Sequence, residues 1–214
     1  MGREVQAVIF DFDGVLCFTD KYHYQAWKVL ADELGIYFDE KINDRLRGIS
    51  RMASLEIILE KSDKQYTEEE KLEFTDRKNT LYQEFLHNMT PEDVTEEVRQ
   101  TLTELKHRGY LLAIGSSSKN TQFIIRQIDV VSYFDAVADG NDITKSKPNP
   151  EVFLVAAKKL GVKPEKCVVV EDTDAGIQAA KAGNMTAYAL GGDAVNSEGR
   201  DKTLSSFADL LDYL

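Results

Sequence analysis

From about residue 98 to the C-terminus, short apolar runs alternate with segments of helical period, and this alternation restricts the possible fold more than any other feature. Val98, Leu102 and Leu105 share a helix face that ends near Gly109, and Tyr110-Leu111-Leu112-Ala113-Ile114 then reads as a strand. Phe123, Ile124 and Ile128 suit the next helix, Ala136-Val137-Ala138 a short strand, and Phe153, Leu154, Ala157 and Leu160 a helix ended by Gly161. Cys167-Val168-Val169-Val170, Ala175 to Ala182, Thr186 to Leu190 and the stretch with Phe207, Leu210, Leu211 and Leu214 continue as strand, helix, strand and helix. Repeated strand–helix units predict α/β architecture with a doubly wound parallel sheet of Rossmann-like form. Val8-Ile9-Phe10, a branched apolar run near the N-terminus, reads as a further strand buried on both faces.

Between residues 17 and 89 the alternation stops. Tyr22, Ala26, Val29, Leu30 and Leu34 fall at helical spacing with Gly35 as a stop; Leu55, Ile58 and Leu59 mark a second helix. Thr67-Glu68-Glu69-Glu70 is a capping-box pattern that opens a third, through Leu72, Leu81, Phe85 and Leu86. The stretch predicts a helical domain, 17–89, inserted into a core made of 1–16 and 90–214, with Thr90-Pro91-Glu92 as the joint.

In an open α/β sheet, ligands bind at the carboxyl edge of the strands. The residues that follow the apolar runs therefore carry the functional reading. Phe10 leads into Asp11-Phe12-Asp13-Gly14, two carboxylates one residue apart with a glycine that lets the chain turn. One carboxylate can attack an electrophile while the other moves a proton or helps hold a cation. Ile114 leads into Gly115-Ser116-Ser117-Ser118-Lys119-Asn120, whose hydroxyls and N–H groups suit an anion. Lys147 lies in Ser146-Lys147-Pro148-Asn149-Pro150, where the prolines stiffen the segment. Val170 leads into Glu171-Asp172, hard oxygen ligands that favour Mg²⁺ over zinc. Each group alone also fits a plainer role: an acidic turn, a serine-rich helix cap, a surface lysine, or acids placed to suit a helix dipole. Together they supply a nucleophile, a hydroxyl, a cation and metal ligands on one edge, the parts phosphoryl transfer requires.

The charge balance narrows the partners. Acidic residues number 37 against 26 basic, a net charge of −11, which leaves no basic excess to neutralise nucleic-acid or membrane phosphates. The two cysteines, Cys17 and Cys167, are far apart, and no run approaches membrane-spanning length. Met1-Gly2-Arg3-Glu4 runs directly into the first strand without a signal-peptide pattern, so a cytoplasmic location is expected.

In the order and spacing of these four groups, the chain resembles the haloacid dehalogenase superfamily of phosphotransferases over nearly its whole length. Asp11-Phe12-Asp13-Gly14-Val15 resembles the first motif, Ser116 the second, Lys147 the third and Glu171-Asp172 the fourth. The insertion resembles the helical cap of the superfamily's sugar-phosphomutase branch. Thr19-Asp20-Lys21-Tyr22-His23 with Ala26-Trp27 looks like its hinge and first cap helix, Leu46-Arg47-Gly48-Ile49-Ser50-Arg51 like its specificity loop with Ser54 just after, and Arg77-Lys78-Asn79 like a later cap segment. Phe18 departs from the branch, which has an acidic residue there.

The resemblance implies interconversion of β-D-glucose 1-phosphate and D-glucose 6-phosphate through an aspartyl phosphate and β-glucose 1,6-bisphosphate. It implies Asp11 as nucleophile, Asp13 as general acid and base, and Ser116 and Lys147 as phosphate contacts, with Ser117, Ser118, Lys119 and Asn120 completing the phosphate loop. Mg²⁺ would be held by Asp11, the Asp13 carbonyl, Asp172 and Glu171. Thr19, His23, Trp27, Arg47, Gly48, Ile49, Ser50, Arg51, Ser54 and Lys78 would line the sugar-phosphate site of a closing cap, Arg51 gripping the remote phosphate as a guanidinium can. The partners implied are small sugar phosphates, and the chain is expected to be a monomer. A sugar-phosphate phosphatase with the same Asp11 and Asp13 remains the alternative.

Overall fold

The structure, a computed structural model, describes residues 5–46 and 50–214. In chain order its strands and α-helices are β1 (Ala7–Phe10), α1 (Asp20–Leu34), α2 (Glu40–Asp44), α3 (Arg51–Leu59), α4 (Glu68–Leu86), α5 (Glu96–His107), β2 (Leu111–Gly115), α6 (Thr121–Gln127), β3 (Ala136–Ala138), α7 (Glu151–Leu160), β4 (Cys167–Glu171), α8 (Asp174–Ala182), β5 (Thr186–Leu190), β6 (Lys202–Leu204) and α9 (Leu210–Tyr213). They form two compact units. One joins the chain up to Phe18 to Met89–Leu214, and the other is Thr19–Asn88.

The first division falls after Phe18 rather than after residue 16 because the turn beyond β1 folds back on itself. Gly14 N–H donates to the Cys17 carbonyl (2.8 Å) and Leu16 N–H to that of Phe12 (3.0 Å), and Val15, Leu16 and Cys17 are buried. At the other junction Met89 is buried as well.

The first unit is a six-stranded sheet in the order β3-β2-β1-β4-β5-β6. Every pairing is parallel. All four residues of β1 are inaccessible to solvent, as expected of a central strand covered on both faces. On one face Phe10 stacks on Phe207 (centroids 5.4 Å apart) and meets Phe134 edge-on (6.2 Å). On the other, Ile9, Ala113 and Val169 pack with Phe153, Ala156 and Ala157 of α7 and with Ile177 and Ala180 of α8. Burying a side chain of such size contributes roughly 1.5–3 kcal/mol.

The chain runs outward from β1 through β2 to β3, then returns beside β1 as β4 and runs outward the other way. The reversal between β1 and β4 is the switch point where open sheets bind ligands. Phe10 is in register with Ile114 and with Val170. Asp11, Gly115-Ser116 and Glu171-Asp172 therefore leave the sheet at one level.

The second unit is helical. Trp27, Leu30 and Ala31 of α1 pack with Ile36, Phe38, Ile42, Leu46, and Leu55 and Ile58 of α3. Gly35 ends α1 at φ 70°, which a glycine adopts without steric cost. Thr67 and Glu70 form the expected capping box at α4. Two elements were not anticipated. Helix α2 has five residues and β6 three, two of them exposed. The closing helix is shorter than expected, because Phe207–Asp209 form a 3₁₀ turn before Leu210–Tyr213.

One core contact allows a direct test. A Cβ on Gly115 would lie 2.6 Å from Phe153 Cδ1 and 3.1 Å from Ile9 Cγ2. Both neighbours are fully buried. We expect Gly115→Ala to destabilise the protein by about 1–3 kcal/mol through overpacking, measured as a lower midpoint in urea. An unchanged midpoint would mean that this face of the sheet yields easily.

Candidate active site

The end of β1 delivers Asp11 to the switch point, held by its N–H bond to the Val170 carbonyl (2.9 Å). Lys147 Nζ forms ion pairs with Asp11 Oδ1 and with Glu171 Oε1, and lies 4.7 Å from the centre of the Phe153 ring. The Lys147–Pro148 peptide is cis. Glu171 is wholly buried. Its second oxygen, Oε2, accepts from both the N–H and the hydroxyl of Thr173, each at 2.8 Å.

Asp11, Glu171 and Asp172 each present an oxygen within 4.8 Å of the others. Against these three carboxylates stands, among the described residues, the ammonium of Lys147. The surplus of two negative charges is what one divalent cation neutralises, and an all-oxygen set suits Mg²⁺. Asp172 Oδ1 is buried and has no hydrogen-bond partner among the described residues, an expensive condition unless a ligand completes it.

The ionisation shifts express the same crowding. Burial pushes the Asp172 carboxyl up to about 8, with Asp11 and Glu171 adding to the rise. Burial also raises Asp11, against the pull of Lys147. For Lys147 burial works against the charge, but the facing carboxylates outweigh it and hold the ammonium protonated. Two glycines make the crowding sterically possible. Gly14, at φ 90°, would drive a Cβ into the Asp172 carboxylate, and Gly176 would drive one into that of Glu171.

Asp13 is half-buried and adds its charge to the fields at Asp11 and Asp172. Beside β1, Ser116 is buried. Its N–H donates to the Ala138 carbonyl (3.0 Å), and its Oγ accepts from Ser118 N–H (3.2 Å). Ser118 Oγ in turn accepts from Asn120 N–H (3.2 Å). Ser117 Oγ is buried without a partner among the described residues. Lys119 is exposed.

The expected sugar-phosphate residues lie in the helical unit. Arg47, Gly48 and Ile49 fall outside the described residues. Ser50 caps α3, its Oγ accepting from Ala53 N–H (3.2 Å). Ser54 and Thr19 are buried, and Thr19 Oγ1 accepts from the Tyr82 hydroxyl (3.2 Å). Trp27 belongs to the core of the unit. Lys78 is also buried. Its Nζ lies 2.7 Å from His23 Nδ1 and over the rings of Trp27 (5.0 Å) and Tyr82 (4.7 Å). Burial and the charge of Arg51 push Lys78 down to about 7. Burial, Lys78 and Arg51 lower His23 well below its usual value, so the imidazole stays neutral beside Lys78. Arg51 donates to Asn79 Oδ1 (2.9 Å).

The sequence reading missed Thr173 and Tyr82. Thr173 carried a signal as the cap residue ahead of α8; Tyr82 carried none, since its partner Thr19 is distant in the chain.

Residues 5–184 match the family model described as haloacid dehalogenase-like hydrolase, and the chain belongs to that family. It is therefore an enzyme of the haloacid dehalogenase superfamily. Within the family it is similar to β-phosphoglucomutase of Bacillus subtilis strain 168, at 41% identity over 189 residues, 87% of this chain and 84% of the relative. A phosphorylated carbohydrates phosphatase of Thermotoga maritima is 30% identical over 184 residues, 85% of this chain and 82% of the relative. The crystal structure of β-phosphoglucomutase from Clostridium difficile superposes with a TM-score of 0.85 at 36% identity, covering 98% of this chain and 95% of that one.

The raised carboxyls predict how a cation competes with protons. Below the elevated values of Asp11 and Asp172 the proton occupies the oxygen a cation needs; above them it does not. We expect Mg²⁺ to raise the melting temperature clearly at about pH 9 and little at about pH 5. An equal rise at both would separate cation binding from these groups.

Proposed function

We propose that the chain is a β-phosphoglucomutase, which interconverts β-D-glucose 1-phosphate and D-glucose 6-phosphate through a β-glucose 1,6-bisphosphate intermediate. Asp11 is the nucleophile. One of its carboxylate oxygens bonds to phosphorus as the bond from phosphorus to the sugar oxygen breaks, leaving an aspartyl phosphate. Asp13 gives its proton to the departing sugar oxygen and takes one from the accepting hydroxyl in the return transfer. Lys147 holds Asp11 in place and reduces its repulsion of the incoming phosphate. Ser116 and the loop through Asn120 bind the transferring oxygens. Asp11, the carbonyl of Asp13, Asp172 and Glu171 would hold Mg²⁺, which when bound supplies positive charge to the phosphoryl oxygens.

A mutase has a second phosphate to hold, and the observation that carries this reading is the cationic cluster of the helical unit. A buried lysine has been packed against a neutral histidine and near an arginine rather than against an acid. Such a group costs stability unless an anion completes it. In this reading the helical unit serves as the cap, with Arg51 and Lys78 gripping the phosphate that is not reacting. The similarity to the Thermotoga phosphatase supports the second reading, a sugar-phosphate phosphatase in which water is the final acceptor.

Phosphorus NMR of one tube with β-glucose 1-phosphate, Mg²⁺ and a trace of the 1,6-bisphosphate decides between them. Conversion to glucose 6-phosphate is expected; release of inorganic phosphate alone establishes the phosphatase. Asp11→Asn should abolish turnover and the acid-labile phosphoenzyme, and labelled phosphate still trapped on the variant would remove Asp11 from the nucleophile's role. Arg51→Ala should impair isomerisation about ten- to a hundredfold, for a charge-assisted contact worth roughly 1.5–3 kcal/mol. Hydrolysis of a small generic phosphate ester, which has no second phosphate, should change little. Equal losses in the two assays would make Arg51 structural.

A further inference from the structure

We infer that Thr173 is a positioning residue, which fixes the rotamer of Glu171 so that one carboxylate oxygen is reserved for Lys147 and the cation site. The inference rests on the proposal that Asp11, Glu171 and Asp172 hold Mg²⁺. Glu171 is the last residue of β4 and is wholly buried. Left alone, a buried carboxylate on a flexible stem would choose among several rotamers. Here both donor groups of Thr173, its N–H and its hydroxyl, converge on Oε2 at 2.8 Å. Oε1 is thereby left for Lys147.

The hydroxyl has a further partner. Thr173 Oγ1 accepts from Gly176 N–H at 3.1 Å, capping α8. A hydroxyl has one proton. Because the N–H of Gly176 can only donate, that proton is committed to Glu171. The orientation of the glutamate is thus tied to the first turn of α8, a rigid element, instead of to solvent. Gly176 completes the arrangement, since any side chain there would occupy the space of the Glu171 carboxylate. The hydrogen bonds of Thr173 run to Glu171 and, through the cap, to Gly176. Thr173 acts through Glu171 alone.

Mg²⁺ titrated by calorimetry into the metal-free full chain tests the inference, with Thr173→Ser and Thr173→Val compared with the wild type. Serine keeps the hydroxyl and so should bind within about twofold of wild type, whereas valine keeps the shape, removes the donor and should bind about tenfold more weakly, the loss of one charge-assisted hydrogen bond. Valine also removes the helix cap, so melting without metal is recorded for each. Thr173→Ala, which also lacks the side-chain donor, is titrated beside them and is expected to follow valine; it stands in should valine fail to fold. Wild-type affinity in the valine or alanine variant would overturn the inference. So would equal weakening in serine and valine, since serine keeps the hydroxyl that valine lacks. A wild type that binds no Mg²⁺ would instead overturn the metal site on which the inference rests.

Discussion

Three carboxylates brought together at the centre of a sheet must be compensated, and the ammonium of Lys147 is the compensation within the chain. It reaches two of them, Asp11 and Glu171, and leaves Asp172 with a buried oxygen that has no partner among the described residues. Parallel pairing of β1 with β4 forces the encounter, because the register of Phe10 with Val170 brings Asp11 level with Glu171. A fold that aligns these strand ends cannot keep the acids apart. It can only supply counter-charge, and among the described residues Lys147 supplies one unit against three, which leaves two uncompensated. A deficit of two charges suits a divalent cation, whichever of the three acids would hold it.

Lys147, which is half-buried, and Lys78, which is buried, show how placement alone gives one residue type opposite properties. Lys147 faces two carboxylates, and its proton is held more tightly than in water. Lys78 faces a neutral imidazole, two aromatic rings and the field of Arg51, and its proton is held near the neutral range. The first is satisfied within the protein. The second is not, and the aromatic faces of Trp27 and Tyr82 offset only part of its desolvation.

How far the sequence disclosed all this depended on distance along the chain. The central strands were legible because branched apolar runs of four or five residues between glycines and polar turns have few other uses than as buried strands. The acids at their ends were legible for the same reason, as was the capping box at Thr67. Strand β6 was not, since Lys202 and Thr203 are exposed and three residues give no period to read. The division after Phe18 lies two residues beyond the expected boundary at 16, because the turn that ties Gly14 to Cys17 carries no apolar period to read. Lys78 could be placed on a helix, but not opposite His23, which lies 55 residues earlier. Thr173 could be read as a cap, but not as a donor to Glu171, because the rotamer of a glutamate leaves no mark on a sequence.

On the mutase reading, the contrast between the two lysines carries a consequence for how the substrate's charge is received. Lys147 arrives with its charge already engaged, so an incoming phosphoryl group must share it with Asp11 and Glu171. That sharing favours a transition state in which the Asp11 charge is being transferred to phosphorus and its hold on the ammonium is loosening. Lys78 sits near neutrality, and an anion beside it would stabilise the protonated form. Phosphate binding in the helical unit would therefore draw in a proton around neutral pH, and its strength would fall as the solution becomes more alkaline. One lysine would serve the reacting phosphate by what it gives up during the transfer, the other the remote phosphate by the charge it gains on binding.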